Sequence, residues 1–146
     1  MFFIGKEGWV VGGYYPDTIK IYHTTVGGLT FTNQYPPINS GEGMSIFMRS
    51  LQDGYTVTNT DRVLRTQDGG INWTTIGSLG GLLYSVSFPP LPEPTGYICG
   101  TGGNNGKFLH VTGSFLVLDT VITVGSLFSI SFPVNSNETK KMIIIK

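Results

Sequence analysis

Thr66-Gln67-Asp68-Gly69-Gly70-Ile71-Asn72-Trp73 is the stretch on which the fold can be read. The residues before it, Val63-Leu64-Arg65, and those after it, Trp73-Thr74-Thr75-Ile76, have the β-branched and aromatic character of strands. The octet therefore reads as a tight hairpin turn between two strands. Gly69 and Gly70 take positive φ without a Cβ clash, and the Asp68 carboxylate is placed to accept backbone N–H groups inside the turn. Trp73 offers an indole face to the core beside the turn. Thr66, Asp68, Gly69, Gly70 and Trp73 are thus candidate structural turn residues. A calcium ion held through Asp68 is the alternative, but a hydrogen-bonded turn needs no ion.

The surrounding chain repeats. A Gly-aromatic strand start recurs as Gly8-Trp9-Val10-Val11, Gly54-Tyr55-Thr56-Val57 and Gly96-Tyr97-Ile98-Cys99, at spacings of 46 and 42 residues. Ser85-Val86-Ser87-Phe88-Pro89 returns 44 residues later as Ser129-Ile130-Ser131-Phe132-Pro133, and Ser45-Ile46-Phe47-Met48 holds the same place one unit earlier. The octet has a weaker copy 42 residues upstream, Thr24-Thr25-Val26-Gly27-Gly28-Leu29-Thr30-Phe31, with Val26 in place of Asp68. Each unit reads as four short strands, A to D, and a period of about 40–50 residues is that of propeller blades. The expected fold is all-β, with four-stranded antiparallel blades. The units are 1–40, 41–80, 81–125 and a half unit 126–146, about three and a half blades of an incomplete propeller.

The octet resembles the Asp-box (BNR) motif, Ser/Thr-x-Asp-x-Gly-x-Thr-Trp, with Asn72 where Thr is usual. That motif occurs in β-propellers such as sialidases and the Ycf48-like photosystem assembly factors. The resemblance implies a propeller and a structural or protein-interaction role. It does not extend to sialidase chemistry, which relies on an arginine cluster and a Tyr nucleophile with a Glu partner. This chain has three arginines, Arg49, Arg62 and Arg65, and no Phe/Tyr-Arg-Ile-Pro opening.

Composition agrees with an all-β reading. Gly numbers 21 and Pro 8 in 146 residues, and they punctuate short apolar runs throughout. Nine basic and nine acidic residues balance, so nothing favours nucleic acid. Charged residues make up 12%, about half the usual share, which fits a surface covered by other copies or partners, or one rich in Ser, Thr and Asn. No apolar run reaches the ~18 residues of a membrane span, so membrane insertion is not expected. Met1-Phe2-Phe3-Ile4 lacks the basic start of a signal peptide. Location is not readable from this, although propellers of this kind favour an extracellular or surface setting. Cys99 is alone and reads as a small buried hydrophobe.

Sites of chemistry are not expected. His23 and His110 lie at equivalent strand C positions in different units, and no Cys/His spacing supports zinc. Gly100-Thr101-Gly102-Gly103-Asn104-Asn105-Gly106 links two strands and reads as a flexible loop, not a phosphate cradle. The run Pro89-Pro90-Leu91-Pro92-Glu93-Pro94 reads as an extended spacer, with docking to an aromatic groove as the alternative. Trp9 and Phe31 are expected in the core, which leaves Tyr14 and Tyr15 as loop tyrosines suited to sugar or protein contacts. Ile143, Ile144 and Ile145 form an apolar strand with none after it, an edge that something should cover. The expectation is a non-enzymatic module with no catalytic residues, metal or cofactor. Its partners are other copies of itself or a neighbouring protein. A glycan-binding or glycosidase-type propeller fragment is the second reading.

Overall fold

The computed structural model describes residues 1–14, 18–78, 80–122, 125–132 and 143–145. Its strands form three antiparallel four-stranded sheets and one two-stranded sheet, each built from strands consecutive in sequence. Blade 1 is β1 (Phe2–Ile4), β2 (Glu7–Gly12), β3 (Lys20–Thr24) and β4 (Thr32–Gln34). Blade 2 is β5 (Gly43–Met48), β6 (Gly54–Thr58), β7 (Arg62–Thr66) and β8 (Thr74–Ser78). Blade 3 is β9 (Leu82–Ser87), β10 (Thr95–Gly102), β11 (Asn105–Thr112) and β12 (Phe115–Ile122). A half blade follows, in which β13 (Ser129–Ser131) pairs with β14 (Ile143–Ile145). The fold is an open, incomplete propeller, and no helix occurs among the described residues.

Meander connections of this kind need short turns. Ile4 pairs with Glu7, Gly102 with Asn105 and Thr112 with Phe115, so each hairpin closes over two residues. In each the first of the two is a glycine at positive φ, Gly5 at 62°, Gly103 at 65° and Gly113 at 61°. Glycine at that place is what a type II′ turn requires, and its twist matches that of the flanking strands. The segment Gly100–Gly106 is therefore strand for most of its length and not a flexible loop. Its glycines admit close neighbours. A Cβ on Gly100 would overlap the Leu82 carbonyl, and one on Gly102 would overlap the Lys107 side chain.

The core lies between blades. Strand alternation gives every sheet two faces, and both faces of blade 2 are used. Ile46, Met48, Leu64 and Trp73 pack against Trp9, Ile19 and Ile21 of blade 1. Tyr55, Val57 and Val63 pack against Leu83, Val86, Phe88, Ile98, Leu109 and Val111 of blade 3. Cys99 joins Leu127 and Ile130 in a third cluster, between blade 3 and the half blade. Burial pushes the Cys99 thiol up to about 12.

The recurring Gly-aromatic pair has a mechanical explanation. Strand B places Gly8, Gly54 and Gly96 against a large residue, in or just after the blade's first strand, that lies across the bare backbone: Phe3, Met48 and Phe88. The aromatic residue after each glycine turns to the other face and covers the next blade, as Trp9 and Tyr55 do.

Candidate functional site

The 66–73 segment is longer than a hairpin turn. Strand β8 begins at Thr74, so Gln67–Trp73 forms a seven-residue loop closed by side chains. The Thr66 hydroxyl accepts from the Gly70 N–H at 2.8 Å and from the Asp68 N–H at 3.4 Å. It donates to Asp68 Oδ1 at 2.9 Å. Asp68 in turn accepts from the Asn72 backbone N–H at 2.8 Å and from Asn72 Nδ2 at 2.7 Å. These bonds, that from the Asn72 backbone first, hold the Asp68 carboxyl below its ordinary 3.8. Both carboxylate oxygens are engaged within the loop, and no cluster of three metal-ligating side chains occurs among the described residues.

The loop is also a contact. Gly69 O accepts from Trp9 Nε1 at 2.9 Å and from Gln34 Nε2 at 3.1 Å, both in blade 1. Trp73 is buried, and its Nε1 donates to Gln34 Oε1 at 3.3 Å. Thr66, Asp68, Gly69, Gly70 and Trp73 are thus brought together, and the loop they make locks blade 2 onto blade 1. Blade 1 keeps the same loop without the carboxylate. Thr24 Oγ1 accepts from Gly28 N at 3.0 Å, and Gly27 N donates to Lys6 O at 2.9 Å as Gly69 N does to Gln52 O at 3.0 Å. The Thr and the glycine pair therefore specify the loop, and Asp68 adds the two bonds to Asn72.

A groove lies where the first strands of successive blades run side by side, β1 beside β5, β5 beside β9 and β9 beside β13. It encloses about 410 Å³ and is lined by apolar side chains from all four sheets, with Arg49 as the charged member. Phe2 and Phe47 rings lie 4.6 Å apart, Phe47 and Phe88 5.5 Å, and Phe88 and Tyr55 4.7 Å. Phe132 and the exposed Leu91 complete the wall. Sequence reasoning missed this groove. Its signal was the aromatic residue in or beside the first strand of each unit, Phe2, Phe47, Phe88 and Phe132.

Beside the groove sits an ionic cluster joining blades 2 and 3. Asp53 Oδ1 accepts from Arg65 Nε at 2.8 Å, and Asp53 Oδ2 lies 3.5 Å from Arg49 Nη1. Arg49 Nη2 donates to Glu93 O at 2.9 Å, while its buried Nε has no hydrogen-bond partner. The Arg49 guanidinium stands 5.1 Å over the Phe88 ring and that of Arg65 stands 5.4 Å over Tyr55. Tyr55 donates its hydroxyl to Gly113 O at 2.9 Å, and burial raises its pKa. Two guanidinium groups thus share the Asp53 carboxylate. The groove's lining suits apolar side chains. His23 holds Glu7 at 2.6 Å and stacks on Trp9 at 4.7 Å, at the base of blade 1.

Of the other candidates, Tyr14 is exposed and Tyr15 lies outside the described residues. Ile143, Ile144 and Ile145 make up β14, opposite Ser131, Ile130 and Ser129. Phe31 is not in the core. It is 44% exposed, and no strand among the described residues packs over that position as blade 1 does over Trp73. A second, more polar cleft of about 380 Å³ runs past Lys20, Asn33, Tyr35 and Asn39.

Comparison with protein-family models and with curated proteins finds no match. Solved structures are similar. A structure of YCF48 bound to D1 peptide aligns over 90% of this chain and 41% of its own, at 22% identity and a TM-score of 0.61. YCF48 from Cyanidioschyzon merolae aligns over 99% of this chain and 55% of its own, at 20% identity and a TM-score of 0.61. The computationally designed Ika4 protein aligns over 94% of this chain and 86% of its own, at 16% identity and a TM-score of 0.55. This chain spans about half the length of the YCF48 chains, and the likeness establishes its fold as that of a β-propeller.

Proposed function

We propose that the chain is a non-enzymatic protein-interaction module, built from Asp-box blades, that works as a self-assembling subunit or as an arc of a longer propeller. The observation that carries this reading is the two-stranded sheet at one end of the arc. Among the described residues β14 has β13 on one side and no strand on the other. An uncovered strand edge is a template for pairing with another chain, and proteins cover such edges. The aromatic groove supports protein as the ligand class, as does the D1 peptide held by a YCF48 propeller. The test is the solution mass of the 146-residue chain by size-exclusion chromatography with light scattering. Species heavier than the 15.8 kDa of one chain are the expected result, and a monomer at every concentration would remove self-assembly from the proposal.

A glycan-binding module is the second reading, favoured by the polar cleft where Asn33 and Asn39 lie beside the exposed Tyr35. Saturable quenching of tyrosine fluorescence by neutral oligosaccharides would support it, and an unchanged spectrum would exclude it.

A further inference from the structure

Blade 1 presents to solvent the face that the other blades bury. The repeat makes Val10, Thr56 and Ile98 equivalent, and their cross-strand partners Tyr22, Leu64 and Leu109 likewise. Thr56, Leu64, Ile98 and Leu109 are all fully buried by the blade before them. In blade 1 Tyr22 remains 39% exposed, and with Val10 and Phe31 it lines an open apolar hollow of about 290 Å³. The hollow has the apolar chemistry of the faces that a preceding blade covers in blades 2 and 3.

The other end of the arc carries the matching element. Residues that cover a following blade stand at fixed register positions in strand B. Tyr55 pairs with Phe47 and Val57 with Ser45, while Tyr97 pairs with Ser87 and Cys99 with Ser85. In the half blade those positions fall on Ile143, opposite Ser131, and Ile145, opposite Ser129. The sequence has isoleucine at both places, apolar as are Tyr55 and Val57 at the same register. One end of this chain thus repeats a covering strand, and the other end repeats a covered face.

We propose that the half blade of one copy stacks on the Val10–Tyr22–Phe31 face of a second copy, continuing the internal blade-to-blade interface between chains. The inference rests on the self-assembly reading above and names the surface. The contact is heterologous, so it closes into a ring if the rotation between copies allows and otherwise propagates as a filament. Both give a mass above that of one chain.

The test uses two variants of the full chain, Tyr22→Lys on the covered face and Ile145→Lys on the covering strand, by light scattering. Each variant alone is expected to fall to 15.8 kDa. An equimolar mixture is expected to recover a species of twice that mass, because each variant retains the surface the other lacks. Recovery on mixing shows that both variants are folded. If either variant keeps the wild-type assembly, this surface is not the interface, although self-assembly stands. If the wild type is itself a monomer, self-assembly fails and this inference with it. Two monomeric variants that do not associate on mixing overturn the end-to-end arrangement.

Discussion

Replacing the same repeat glycine with alanine in each blade should have three different effects. A Cβ on Gly96 would overlap the Phe88 ring, which is 3% exposed and wedged among Tyr55, Phe47 and Arg49. That ring has nowhere to go, and overpacking of this kind costs about 1–3 kcal/mol. Alanine regains about 0.5–1 kcal/mol in a strand through its lower unfolded-state entropy. The net loss for Gly96→Ala is therefore up to about 2.5 kcal/mol, or up to roughly 5–10 °C in Tm for a domain of this size. A Cβ on Gly8 would overlap the Phe3 ring, but Phe3 is 40% exposed and swings into solvent, so Gly8→Ala should be near neutral. Gly54→Ala falls between them, because the buried Met48 that meets it is unbranched and adaptable. Urea denaturation followed by tryptophan fluorescence ranks the three. A Gly8→Ala variant that loses as much as Gly96→Ala would refute the argument that the strand A side chain sets the cost.

Thr66→Val should destabilise more than Asp68→Ala, about 2 against about 1 kcal/mol in the same assay, since the buried Gly70 N–H loses its acceptor only in the first. Asp68 has a folded pKa below its ordinary 3.8, so its contribution is present above that ordinary value and is lost as pH falls from there through the lowered folded pKa; Asp68→Asn should remove this acid-side step from a stability–pH profile. Cys99 should resist a thiol reagent at pH 8 in the native protein and react within seconds in denaturant, because burial keeps it protonated. Asp53→Ala should cost about 1–2 kcal/mol by leaving Arg65 and the half-buried Arg49 without their shared carboxylate, measured by thermal unfolding.

The architecture was legible because it is periodic. Glycine before an aromatic marks strand B, since a large strand A side chain must cross there. Other features depend on context that a local reading lacks. The glycine pair in 66–73 suggested a tight turn, whereas Thr66 and Asp68 close a loop of seven residues through their side chains. Gly100 and Gly102 resembled loop residues, yet they sit inside a strand where neighbouring groups approach closely. Phe31 and Trp73 hold equivalent places and differ in burial, because blade 1 packs over Trp73 and no described strand packs over Phe31. The aromatic groove escaped notice for a related reason. Its large residues come from all four sheets, and only the stacking of blades brings them together.

The placement of the three cores between sheets has a consequence for how this molecule comes apart. No blade possesses a hydrophobic interior of its own, so no blade has a stability of its own; free energy resides in junctions. Excising 41–80 in frame would remove two junctions and create one, bringing the Trp9 face of blade 1 against the Ile98 face of blade 3. Lengthening the arc by a unit would add one junction without altering those already present. Such a chain tolerates duplication and loss of whole units far better than a single polar substitution at a junction, and amide exchange should slow from its ends toward blade 2.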